Sequence, residues 1–135
     1  MATTLEQYGT GGGLAIGAGI GATAASLAGI TSEFAVIVGF GIMGGLVVGG
    51  FAGRFTDENS DRDNWQYRVV AYTLFVSLLV GSLLGLLTAW MVDASLINGA
   101  FGGSATGGAF SLLMSWILVS AGRKELQSQS TAQPE

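Results

Sequence analysis

The chain has no cysteine and no histidine. The first absence excludes disulfides, thiolate metal sites and cysteine nucleophiles. The second removes the commonest metal ligand and general base. Lysine occurs once, at Lys124, and proline once, at Pro134. Charge is scarce: charged residues are 10% of the chain, against about 25% in ordinary soluble domains. From Thr10 to Ala52 the single charged residue is Glu33, and from Val69 to Gly122 it is Asp93. A soluble protein of 135 residues must cover its surface with polar groups. These stretches cannot supply them, so their solvent reads as lipid. Nine acids against five bases leave a net charge of −4, which argues against nucleic-acid binding through a basic patch.

What is present is apolar and small. Four runs are each close to the ~20 residues that a helix needs to cross the hydrocarbon core. They lie at about 11–30, 34–51, 69–92 and 99–121. None alternates in polarity as barrel strands do. The expected fold is an all-α membrane protein, with four transmembrane helices in two antiparallel hairpins. The third run is rich in leucine, valine and phenylalanine and would insert alone. The first is mostly glycine, alanine and threonine, so it is the weakest span. Residues 1–122 form one domain, with 53–68 as a long polar loop. Residues 123–135 read as a disordered polar tail. Residues 1–10 carry no basic residue, so no cleavable signal peptide is expected.

Orientation follows from the bases. Arg54, Arg62 and Arg68 lie in the 53–68 loop, and Arg123 and Lys124 follow the fourth run. With four spans, all five fall on one face. The positive-inside rule makes that face, with both termini, cytoplasmic or virion-interior. Trp65, Tyr67, Trp90 and Tyr8 fall near span boundaries, where amphipathic rings collect. Trp116 lies deeper in its span.

Small residues recur at every fourth position. The ridges run through Gly9, Gly13, Gly17, Gly21, Ala25 and Gly29; through Gly41, Gly45, Gly49 and Gly53; through Ser77, Gly81, Gly85 and Ala89; and through Gly99, Gly103, Gly107, Ser111 and Ser115. Residues four apart share a helix face. A face without side chains lets backbones approach closely, which drives helix association in lipid. The expected helix-packing residues are Gly13, Gly17, Gly21, Gly41, Gly45, Gly49, Gly81, Gly85, Gly103 and Gly107. Both hairpins also carry one acid in the short turn, Glu33 or Asp93, and both close on Ala-Gly-Arg.

No ionisable group lies deep in a span, whereas transporters and proton relays usually show one. The polar groups there are hydroxyls such as Thr23, Ser77, Thr88, Thr106 and Ser115, expected to bond the backbone or a neighbouring helix. A serine nucleophile would need a base, and none is near. Gly17-Ala-Gly19-Ile-Gly21 lacks the preceding strand of a dinucleotide fingerprint. Asp57, Glu58, Asp61, Arg62 and Asp63 form a charged cluster without the glycine and terminal glutamate of a calcium loop. It reads as solvated charge, with Arg62 paired locally, or as a docking site for an internal partner. No catalytic residue, cofactor or metal is expected.

The first run, Gly13-Leu-Ala-Ile-Gly17-Ala-Gly19-Ile-Gly21, resembles the outer glycine helix of rotary ATPase ring subunits. Those subunits carry an ion on a carboxylate in mid-helix, and here Glu33 sits at the turn instead. In size, span count and acidic, lysine-poor loops the chain is similar to the internal membrane proteins of haloarchaeal pleomorphic viruses. That resemblance implies a non-catalytic structural protein of an envelope, with its acidic loop facing the interior. The alternative is a small channel, holin-like pore or transporter subunit. The partners expected are the bilayer, further copies or other membrane proteins.

Overall fold

The computed structural model describes residues 4–27 and 29–132. Among these there are four helices and no strand: α1 (Thr4–Leu27), α2 (Phe34–Asn59), α3 (Trp65–Met91) and α4 (Leu96–Thr131). Three of them, α2, α3 and α4, are long and apolar enough to cross a membrane, with mean hydropathies of 2.2, 2.2 and 1.4 over their best windows. That is what an integral membrane protein requires. Glycine and threonine dilute the leucine and isoleucine of α1, which is not among the three.

The helices outrun the apolar segments. α1 starts at Thr4 rather than near Gly11, and α2 continues to Asn59 rather than stopping near Phe51. The expected loop at 53–68 shrinks to five residues, 60–64, between α2 and α3. The 123–132 part of the expected disordered tail is helical through Thr131; residues 133–135, with Pro134, lie outside the described residues, as does Ala28 within the first run. The reason is physical. Hydropathy marks where the apolar solvent ends, whereas a helix ends where its backbone bonds end. In α2, Thr56 Oγ1 donates to the Ala52 carbonyl at 2.7 Å, and Arg54 pairs with Glu58 one turn on. Beyond Gly122, α4 has Arg, Lys, Glu, Leu and Gln, all good helix formers, and Leu126 packs against the core.

The two short turns stop their helices in the same way. Gly29 takes a left-handed φ of 66°; its N–H donates to Ser26 O and that of Ile30 to Ala25 O. Asp93 takes φ 53°; its N–H donates to Trp90 O and that of Ala94 to Ala89 O at 2.8 Å. Each is a Schellman ending, which ties off the last carbonyls of the helix. Glycine enters that conformation without strain, and aspartate is among the few other residues that tolerate it. At the opposite end, Asn64 provides the left-handed residue (φ 60°) that starts α3.

Side chains fill the bundle unevenly. At the end bearing the 60–64 turn, Val48, Ala52, Trp65, Val69, Phe110, Met114 and Leu118 form one buried cluster. Val69, Met114 and Leu118 are fully buried there. On the α2–α3 flank, Phe55 stacks on Tyr72 with centroids 4.1 Å apart. Outside, Phe75, Leu83, Phe101, Leu112 and Trp116 are each at least 60% exposed. A monomer in water rarely shows so much apolar surface.

Candidate functional site

Within each hairpin, the backbones meet along a seam of small residues. A Cβ built on Gly13 would overlap the Gly45 carbonyl oxygen and lie 2.8 Å from its carbon. One on Gly17 would overlap the Gly41 oxygen, and one on Gly49 the Gly9 oxygen. Gly21 is looser, 3.0 Å from Ile37 O. At the far end, a Cβ built on Gly53 would lie 2.6 Å from the Leu5 carbonyl oxygen. The register therefore steps by one helical turn along the whole length of α1 and α2. The second hairpin repeats it. Gly81 faces Gly103, Gly85 faces Gly99 and Gly103, and Gly107 faces the Ser77 carbonyl. All ten glycines singled out from the sequence lie on these seams, and no flexible side chain separates the backbones there.

Other glycines are different. Gly11, Gly19, Gly39, Gly102 and Gly108 would place a Cβ in open space. Gly44 faces the movable Leu84 side chain, and a Cβ built on it would lie 2.5 Å from the Leu84 Cδ1. Gly122, which periodicity did not single out, lies under the Trp65 indole. Trp65 is thus a buried packing residue rather than the boundary ring that its position implied. Tyr67, Trp90 and Trp116 point outward, each more than 70% exposed.

Hydroxyl groups divide into two sets. Thr23 donates to Gly19 O, Thr88 to Leu84 O, Thr106 to Gly103 O and Ser111 to Gly108 O, at 2.7 to 2.9 Å. These bonds satisfy the hydroxyls inside their own helices. Thr73, Ser77 and Ser115 are buried, and their hydroxyls have no partner among the described residues.

Between the hairpins lies a cleft of about 370 Å³. It runs from Val92, Ser95 and Asn98, beside the short turns, to Val48, Ser77 and Phe110 in mid-bundle. Val80, Leu84, Gly102 and Thr106 are among its walls. Its floor adjoins the buried cluster, since Val48 and Phe110 belong to both.

The charged cluster sits at the other end. Asp57 and Glu58 are in the last turns of α2, and Asp61, Arg62 and Asp63 are exposed in the 60–64 turn. Among the described residues the ion pair there is Arg54–Glu58 at 3.1 Å, and Arg62, expected to pair locally, makes none within 4.0 Å. Arg123 reaches across to the Gln66 amide oxygen at 3.1 Å. Among the described residues no three acids gather closely enough to hold a metal ion.

These features define a helical bundle of two backbone-sutured hairpins with an apolar cleft between them. Comparison with protein families, with curated proteins and with solved structures finds no match to this chain.

Proposed function

We propose that this chain is a non-catalytic scaffold of a membrane or viral envelope, with all four helices crossing the bilayer. The observation that carries this reading is the buried cluster. Val69, Met114 and Leu118 are fully buried across the bundle, with no ionisable group among the cluster residues. A conduction path would have to pass through them. Of the hydroxyls lining the cleft, Thr88 and Thr106 spend their protons on their own backbone, and the buried Ser77 hydroxyl is left as one of few groups that could replace a solute's water. What the bundle offers instead is outward apolar surface on every side and a stiff interior. The glycine seams supply that stiffness, because in lipid close backbone packing replaces the hydrophobic drive.

The topology reading has the same support. α1 runs alongside α2 for its whole length, so it crosses wherever α2 crosses. The five bases stand where α2 ends, α3 begins and α4 leaves the bundle. The positive-inside rule assigns that end to the cytoplasm or virion interior. The acidic residues of α2 and of the 60–64 turn then face an interior partner.

The test is reconstitution into liposomes at low protein density. The vesicles should hold a potassium gradient, and crosslinking should trap oligomers. Gly17→Leu and Gly45→Leu should abolish the crosslinked species, because each forces the α1–α2 hairpin apart. A potassium leak that scales with protein content would replace the scaffold with a pore. Monomers at every density would overturn the scaffold reading as well.

A further inference from the structure

Among the described residues, every threonine past the first turn of its helix, with one exception, donates to the carbonyl four residues back. Thr10, Thr23, Thr56, Thr88, Thr106 and Thr131 all do so. Such a bond uses the hydroxyl proton locally. The exception is Thr73, whose hydroxyl has no partner among the described residues, and Ser77 and Ser115 share that condition. The three residues are 0%, 1% and 5% exposed. A buried hydroxyl left unbonded costs free energy, and in folded proteins it is ordinarily met by a protein group or by water.

The three lie on one seam, between α3 and α4. A Cβ on Gly107 would overlap the Ser77 carbonyl oxygen, and one on Gly122 would meet the Trp65 ring, which brackets the register around them. Steps of one turn then set Ser77 opposite Gly107 and Ser111, and Thr73 opposite Ser111 and Ser115. The first hairpin is built differently at the matching positions. Thr73 and Ser77 precede the left-handed Asp93 by 20 and 16 residues, and Gly9 and Gly13 precede the left-handed Gly29 by the same distances. Ser111 and Ser115 follow the N-cap Ser95 by 16 and 20 residues, as Gly49 and Gly53 follow the N-cap Glu33. Four glycines in one seam are thus four hydroxyls in the other.

We infer that Thr73, Ser77 and Ser115 hold a buried water that links α3 to α4. A buried water needs about two to four polar partners. The three unbonded hydroxyls supply them, and the Ser111 oxygen, whose proton goes to Gly108 O, still accepts. A water bridges groups that stand too far apart to bond directly. A bare cation does not fit. The buried polar residues are hydroxyls and Asn59, so it would have no counter-charge. Burial also keeps lipid and the side chains of any partner away from the three oxygens. Ser77 lines the inter-hairpin cleft as well, which gives the water a route in. The site stands on the α3–α4 packing alone, whatever function the bundle serves.

The experiment uses the full chain, labelled with carbon-13, in vesicles of deuterated phosphatidylcholine. Solid-state NMR transfers magnetisation from water protons to nearby carbons at short mixing times. Asp61, exposed in the 60–64 turn, is the wet reference. Gly13 and Gly45, buried in the first seam, are the dry ones. The Cβ signals of Thr73, Ser77 and Ser115 should receive water magnetisation, and the Cα signals of Gly13 and Gly45 should not. Thr73→Val keeps the shape of the side chain and removes its hydroxyl. It should cut the transfer to Ser77 and Ser115 several-fold. Ser115→Ala should do the same to Thr73. Silence at all three hydroxyl positions beside a strong Asp61 signal overturns the inference, because the hydroxyls are then dry. Transfer that stays at full strength in both variants overturns it too, since no water is then shared. Equal transfer to Gly13 and Gly45 also overturns it, because water then pervades the bundle rather than this seam.

Discussion

The indole of Trp65, at the start of α3, lies over the backbone of Gly122 near the far end of α4; a Cβ on Gly122 would stand 2.7 Å from the ring's Cη2 atom. The contact closes the bundle between the 60–64 turn and the part of α4 that leaves the apolar segment. Gly122→Val should push the ring out of place, at the cost of about 1–3 kcal/mol typical of overpacking. With Trp90 and Trp116 replaced by phenylalanine, Trp65 is the only fluorophore of its kind. Its emission should shift to the red in the valine variant, with a lower unfolding temperature. An unshifted spectrum would mean that the ring does not rest on Gly122.

Neighbouring glycines of one helix should respond with opposite sign. A Cβ at Gly17 would overlap the Gly41 carbonyl oxygen, whereas one at Gly19 meets nothing. Gly17→Ala should therefore weaken the α1–α2 hairpin. Gly19→Ala should be neutral or stabilise it by up to about 1 kcal/mol, the helix-propensity gain. Unfolding in mixed micelles compares the two. Equal effects would remove the argument that the seam, rather than glycine content, sets the packing.

Topology is testable because the chain lacks cysteine. Single cysteines at Thr4, Ser32, Ser60 and Ala94 report one position each against an impermeant thiol reagent. From outside sealed cells, Ser32→Cys and Ala94→Cys should label, and Thr4→Cys and Ser60→Cys only after permeabilisation. Labelling of Thr4→Cys from outside would show that α1 does not cross.

The ion pair on α2 should matter little. Arg54 and Glu58 are one turn apart, with side chains 70% and 59% exposed. Such pairs contribute about 0.3–0.5 kcal/mol and are screened by salt. Glu58→Gln should leave the unfolding temperature almost unchanged. A large loss would place Glu58 in a contact with another subunit or partner.

Much of the helical content was legible because lipid-compatible runs and fourfold spacing are properties of the chain alone. Helix ends were not. The segments at 53–59 and 123–131 are polar, so hydropathy assigned them to loop and tail, yet their backbones stay bonded as helix. Trp65 was misplaced for a related reason. A ring beside a span boundary is either a belt residue or a plug, and only its neighbour on α4 decides. Nothing periodic marks Gly122, and the open faces at Gly19 and Gly102 have the same residue type as the closed ones at Gly17 and Gly103.

The sequence by itself determined that the chain is helical, that long stretches of it are apolar enough for lipid, and that its small residues fall on ridges. Those follow from local composition and from the fixed geometry of one helix. The tertiary structure alone decided which ridge faces which, that the large buried side chains joining the hairpins gather toward the 60–64 end, and that three buried hydroxyls among the described residues are left unbonded. These depend on residues far apart in the chain sharing one space, and no helix carries that information about its neighbours.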